Sequence, residues 1–151
     1  INIGALTEAL YTFFFMNGFD YWGDANLKLQ VTSYEDTARF IVAAVAKRNL
    51  EGSLSFVGQE VTVQRIAEIY NKARGTYKQV RHLGSLKDLE RIAEEAEKKG
   101  DPFAFFPLFL SIVFDERSKL SSTIANQFFP EIQPTSIEEI LRQNPDLKMN
   151  N

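Results

Sequence analysis

The most constraining feature of this chain is its punctuation. Ser33, Thr62, Ser85 and Ser136 each stand directly ahead of a segment whose apolar residues recur at helical spacing. A hydroxyl in that position accepts a bond from the free amides of the first turn and fixes where the helix begins. Ser33 with Asp36 has the S-x-x-D spacing of a capping box, in which the acidic side chain bonds back to the cap amide. Asp36 is read as that carboxylate. The first helix is expected to turn Ala38, Ile41, Val42 and Val45 inward, and the second Val63, Ile66, Ala67, Tyr70 and Ala73. Gly75 stands where a left-handed residue would end the second. The third helix opens at Ser85 and Asp88, is highly charged and runs to Gly100, with one stripe of Leu86, Leu89, Ile92, Ala93 and Ala96. A last short helix faces Ile137, Ile140 and Leu141 inward.

Between these helices lie short runs of period two, the mark of a strand. Leu27, Leu29 and Val31 alternate with Lys28, Gln30 and Thr32. Leu54 and Phe56 alternate with Ser55 and Val57, and a third strand is expected over 77–81, ending near His82. Helices alternating with strands predict an α/β fold rather than a bundle. Three short strands are nonetheless few, because a doubly wound sheet normally shows about five or more, with near-continuous aliphatic runs. The strands read as additions to a sheet whose main part lies elsewhere. The chain opens at Ile1 in an apolar stretch, and the expectation is that it is part of a longer protein or has lost a segment.

Composition removes several function classes. The 151 residues include no Cys, which excludes disulfides, thiolate metal sites and a Cys nucleophile. The single His, His82, excludes any site needing two and reads as a half-exposed structural residue. Seventeen basic against twenty acidic residues, a net charge of −3, argue against a nucleic-acid binder. The start of the chain lacks the basic region of a signal peptide. The most apolar run, Phe103 to Phe114, is 12 residues long. A bilayer takes about 20, so a buried helix is expected there and an interfacial or lid segment is the lesser reading. Cytoplasmic residence without membrane contact fits best.

Catalytic signals are sparse. There is no G-x-G-x-x-G or Walker sequence, and the acidic residues show no metal-ligand spacing. The Glu and Lys residues of 87–99 read as surface pairs, and Ser118–Ser122 lacks the context of a nucleophile. The aromatic residues fall in two groups, early (Phe13, Phe14, Phe15, Phe19, Tyr21, Trp22) and late (Phe103, Phe105, Phe106, Phe109, Phe114). They are core, or some of them line an apolar pocket for a small organic ligand.

Five segments, in order, carry a resemblance: "NIGALTEALYTFFF", "YWGDANLKLQVTSYEDTARFIVAAV", "LSFVGQEVTVQRIAEIYNKARG", "VRHLGSLKDL" and "FFPEIQPTSIEEIL". Together they resemble the C-terminal half of NmrA-like proteins, atypical relatives of short-chain dehydrogenases/reductases that share their layout with isoflavone reductase-like enzymes. The resemblance covers Asn2 to about Leu141, and a polar tail follows from 145 to 151. It implies an α/β fold: the helix-rich, substrate-side portion of an NAD(P)-binding Rossmann protein, with the N-terminal Rossmann half absent. It implies a cofactor, NAD or NADP, held by that other half and not by this chain alone. Asn2, Ile3 and Gly4 match a loop at the nicotinamide end of the cleft. The helix from Ala5 to Met16 and the 103–114 segment would wall a substrate pocket, with Phe13, Phe105, Phe106 and Phe109 as its lining. The strand at Leu54–Val57 would be an edge of the Rossmann sheet, and those at Leu27–Val31 and 77–81 would belong to the smaller lobe. The implied activity is reduction of a small apolar or aromatic compound, or else NAD(P) sensing without turnover. The expected partner is the Rossmann half, or a second copy covering the same face.

Overall fold

A computed structural model describes residues 2–3, 18–47, 49–120 and 124–146. The expected opening helix, together with Gly4 and Phe13, lies outside the described residues. The chain is α/β and rich in helix. Six short strands are described: β1 (Asn2–Ile3), β2 (Phe19–Trp22), β3 (Leu29–Val31), β4 (Ser55–Phe56), β5 (Gln59–Val61) and β6 (Val80–Gly84). The helices are α1 (Tyr34–Ala46), α2 (Val63–Arg74), α3 (Leu86–Lys98), α4 (Phe105–Val113) and α5 (Ile137–Gln143), with 3-10 turns at Glu116–Ser118 and Ala125–Phe128. The strands pair in twos: β1 with β4 and β2 with β6 in parallel, β3 with β5 antiparallel. None of the described helices is long and apolar enough to cross a membrane.

The helix starts follow the hydroxyl caps. Ser33, Thr62, Ser85 and Ser136 each accept a bond from the amide three residues on. Gly75 ends α2 at φ 62°, a conformation that costs a residue with a Cβ. The capping box is complete only at Ser85 and Asp88. At α1 the Ser33 half forms, but the Asp36 carboxylate turns away to the backbone amide of Thr135 at 2.7 Å, the Thr135 hydroxyl at 3.3 Å and the Arg39 guanidinium. Asp36 is fully buried, so its oxygens take their bonds from protein groups, among them the half-exposed Arg39.

Two apolar cores result. The larger joins β2, β3 and β5 to α2, α3, α4 and α5, through Phe19, Val31, Ile66, Tyr70, Leu89 and Leu141 among others. The smaller is built on Phe40 of α1, Phe56 of β4 and Phe129, whose rings meet at centroid distances of 4.4–6.3 Å. Lys47 closes it, lying 4.4 Å from the Phe129 ring centre and donating to the Phe128 carbonyl. Gly58 sits where β3 passes closest. A Cβ there would stand 2.7 Å from the Val31 carbonyl oxygen, and its amide donates to the Thr32 hydroxyl.

Several expectations need correction. The inward face of α1 is Asp36, Phe40 and Ala44, while Ala38, Ile41, Val42 and Val45 are exposed. Phe40 sets this, because the largest wholly apolar side chain of the helix goes to the aromatic core. Ala73 of α2 is likewise exposed. Ser55 and Phe56 are both fully buried, so β4 shows no alternation. Ser55 pairs with Asn2 and also bridges in parallel with Ile124, which makes β4 an inner strand of what is described rather than an edge. The third expected strand begins at Val80, not Tyr77, which is 86% exposed. The Asn71 amide holds the preceding loop through the backbone of Lys78, and pairing with β2 starts only beyond it. The 103–114 run forms no buried helix. Leu110, Val113 and Phe114 are buried, whereas Phe103, Phe105, Phe106, Leu108 and Ile112 face out.

Candidate functional site

The parallel pair β2–β6 sets Asp20 opposite Arg81 and Tyr21 opposite His82. Successive side chains leave opposite faces of a strand, so these two pairs point apart. On one face Arg81 grips Asp20 with two bonds of 2.8 and 2.7 Å. Asp20 is nearly buried, and its hydrogen bond, then its charge, raises the Arg81 guanidinium above its ordinary value. This clamp fixes the register of the strands.

On the other face the rings of Tyr21 and His82 stack with centroids 5.0 Å apart and planes 27° from parallel. They border a cleft of about 220 Å³ completed by Ala25, Val63, Gln64 and Val80. Val63 and Gln64 come from the first turn of α2, which Thr62 sets in place through its bond to the Arg65 amide. The Gln64 amide donates to Glu68 at 3.3 Å. That bond, followed by one from Arg65, holds the Glu68 carboxyl below its ordinary value. The cleft therefore offers an aromatic wall, an aliphatic floor and an amide at the rim. Such a lining suits a flat, weakly polar molecule of about one ring.

The residues anticipated as site-forming are scattered. Asn2 and Ile3 form β1, in register with Ser55 and Phe56. Phe105 and Phe106 are exposed, and Phe109 packs on the larger core. Gly4 and Phe13 fall outside the described residues. None of those described lines the Tyr21–His82 cleft. Tyr21 was visible as one of the early aromatics, but its pairing with His82 is set by register between strands 61 residues apart. A D-Y against R-H juxtaposition was the available signal, and only knowledge of the pairing reveals it.

The pyrophosphate of NAD(P) sits on free amides at a helix N-terminus. At α1, α2, α3 and α5 the cap hydroxyl takes one of these amides, that of the residue three positions on. The start of α4 lies between the exposed rings of Phe103 and Phe105. Among the described residues no Gly-rich turn leads into any of these starts, and no hydride step is assigned to them. Among the described residues there is also no cluster of three acidic or imidazole groups able to hold a metal ion. No family model matches the chain, and no curated protein matches it.

Proposed function

We propose that this chain is the substrate-side part of an NmrA-like, NAD(P)-dependent oxidoreductase acting on a small apolar or aromatic compound. The reading rests on the five ordered segments of the resemblance and on one structural observation. Helix α1 is apolar on both sides: Phe40 and Ala44 pack inward, while Ala38, Ile41, Val42 and Val45 lie open to solvent. Glu35 and Arg39 hold the polar edge of this helix, and a helix with apolar residues on two sides suits a place between layers. A Rossmann half beside β1 and β4 would supply the second layer, and with it the dinucleotide cradle. The cleft at Tyr21 and His82 is of a size for the substrate class. The ring-on-ring contact of those two residues favours a second reading, in which NAD(P) is bound and sensed without turnover.

Reading the coding sequence upstream of Ile1 tests the proposal. A strand, a Gly-rich turn and a helix roughly 140 residues before it are expected. An initiation codon immediately ahead of Ile1, or calorimetry showing micromolar NADPH binding by these 151 residues alone, would overturn it. With the longer product in hand, NADPH oxidation on addition of small aromatic carbonyl compounds separates reductase from sensor.

A further inference from the structure

The cleft bordered by Tyr21 and His82 has a volume of about 220 Å³. A cavity of about 150 Å³ takes one benzene ring, so this one admits a single ring with a substituent and not a dinucleotide. None of its six lining residues carries a carboxylate, an ammonium or a guanidinium. The charges of the adjoining turn are engaged with each other: Arg65 bonds Glu68 at 3.2 Å and reaches Glu138 at 3.5 Å. On the far face of the strands Arg81 is held by Asp20. An ion entering the cleft would leave water without gaining a countercharge, so the geometry favours a neutral occupant.

The hydrogen-bonding groups choose among neutral rings. A carboxylate only accepts, so the bond of 3.3 Å between Gln64 and Glu68 engages the amide nitrogen, Nε2. The other Glu68 oxygen is taken by Arg65. Gln64 therefore brings its carbonyl oxygen, Oε1, to the cleft as an acceptor, and a ligand must donate to it. The Tyr21 hydroxyl can donate as well as accept, and among the described residues it has no hydrogen-bond partner, which leaves it open to a carbonyl on the ligand. An N–H fixed in the plane of a ring is aimed by the ring's own stacking, and nitrogen heterocycles stack well on Tyr and His. We propose that this cleft binds a neutral, one-ring nitrogen heterocycle of the lactam type, with an N–H beside a C=O, lying against the Tyr21–His82 pair and donating to Gln64. Glu68 is a positioning residue, since it decides which end of the amide is offered. The proposal rests on the cleft being the substrate's place under the proposed function, and it names the substrate's class.

The probe is 2-pyridone, and N-methyl-2-pyridone is the same ring without the donor. His82 is the only His of the chain, so its ring gives one resolvable NMR signal beside those of Tyr21. At fixed pH, 2-pyridone is expected to move both signals and to saturate at roughly millimolar concentration. The N-methyl analogue should bind about fivefold more weakly, the worth of one hydrogen bond at a rim. Gln64→Leu should abolish that preference and leave the weaker binding in place, which separates the donor from the bulk of the methyl group. Glu68→Ala should reduce it by letting the amide turn. Both residues are exposed, and unchanged circular dichroism verifies that the variants fold. No saturable shift of His82 and Tyr21, equal binding of the two pyridones, or a preference that survives Gln64→Leu would overturn the proposal, and one untouched by Glu68→Ala would remove Glu68 from it. Pyridone binding by this chain without NADPH oxidation by the longer product overturns only the catalytic reading, whereas NADPH oxidation without pyridone binding overturns only this assignment.

Discussion

A carboxylate with no solvent contact must find its hydrogen bonds inside the protein. Asp36 finds them in Thr135 and Arg39, and so ties the start of α1 to the segment leading into α5. Replacing Asp36 with Ala leaves the Thr135 amide without its acceptor and is expected to cost about 3 kcal/mol in urea denaturation. Asp115 behaves differently, being only partly buried. Bonds from the Arg117 side chain and amide, then the guanidinium charge, lower its carboxyl from 3.8 to about 2. Its folded value lies below its unfolded one. Its contribution to stability is therefore complete above the ordinary value and fades as pH falls from 3.8 towards about 2. Carbon-detected NMR titration of Asp115 should give the low value, and Arg117→Ala should raise it part of the way to the ordinary one, because the bond from the residue 117 amide remains. At this scale the sequence told hydroxyl caps from other hydroxyls correctly. It misassigned Asp36, because the competing partner lies 99 residues away and leaves no local trace.

Elements were legible where their signals are local. The Ser and Thr caps, the Gly75 terminus and the stripes of α3 and α5 depend on residues within one or two turns. Thr62→Ala should thus destabilise by about 1 kcal/mol in thermal denaturation, by freeing the Arg65 amide. Strands β2 and β5 went unread. In β2 the sequence "FDYW" buries Phe19, Asp20 and Trp22, and alternation disappears once Asp20 is neutralised by Arg81. The face of α1 was inverted for a related reason. Both sides of that helix are apolar, and only the contact of Phe40 with Phe56 and Phe129 decides which turns in. Phe56→Ala should therefore cost about 4 kcal/mol in the same denaturation assay, as a ring is removed from a packed cluster.

For the molecule as a whole, the two cores are unequal in kind. The larger draws on four helices and on strands from both halves of the chain, while the smaller hangs on three rings and β4. Two apolar faces remain uncovered, on α1 and α4. Val42→Lys with Val45→Lys should lower the fluorescence of an apolar dye while shifting unfolding by no more than about 0.5 kcal/mol, since both residues are exposed. The anticipated pocket was not legible in the same sense as the caps. A cleft is made by register and by approach of distant elements, and neither Tyr21 nor His82 announces the other.

The bond between Asp36 and Thr135 also has a place in time. At about 5–20 residues per second, a ribosome needs on the order of 5–20 s to travel from the one to the other. Through that interval α1 has its Ser33 cap and, once it is made, Phe56 for Phe40 to pack on, but neither Phe129 nor the Thr135 partner of its acidic side chain yet exists. The nascent chain can keep that carboxylate hydrated by holding α1 away from its final seat. Completion of the helix–strand layer is thereby tied to arrival of the 124–146 segment, which brings Phe129 and Thr135 together.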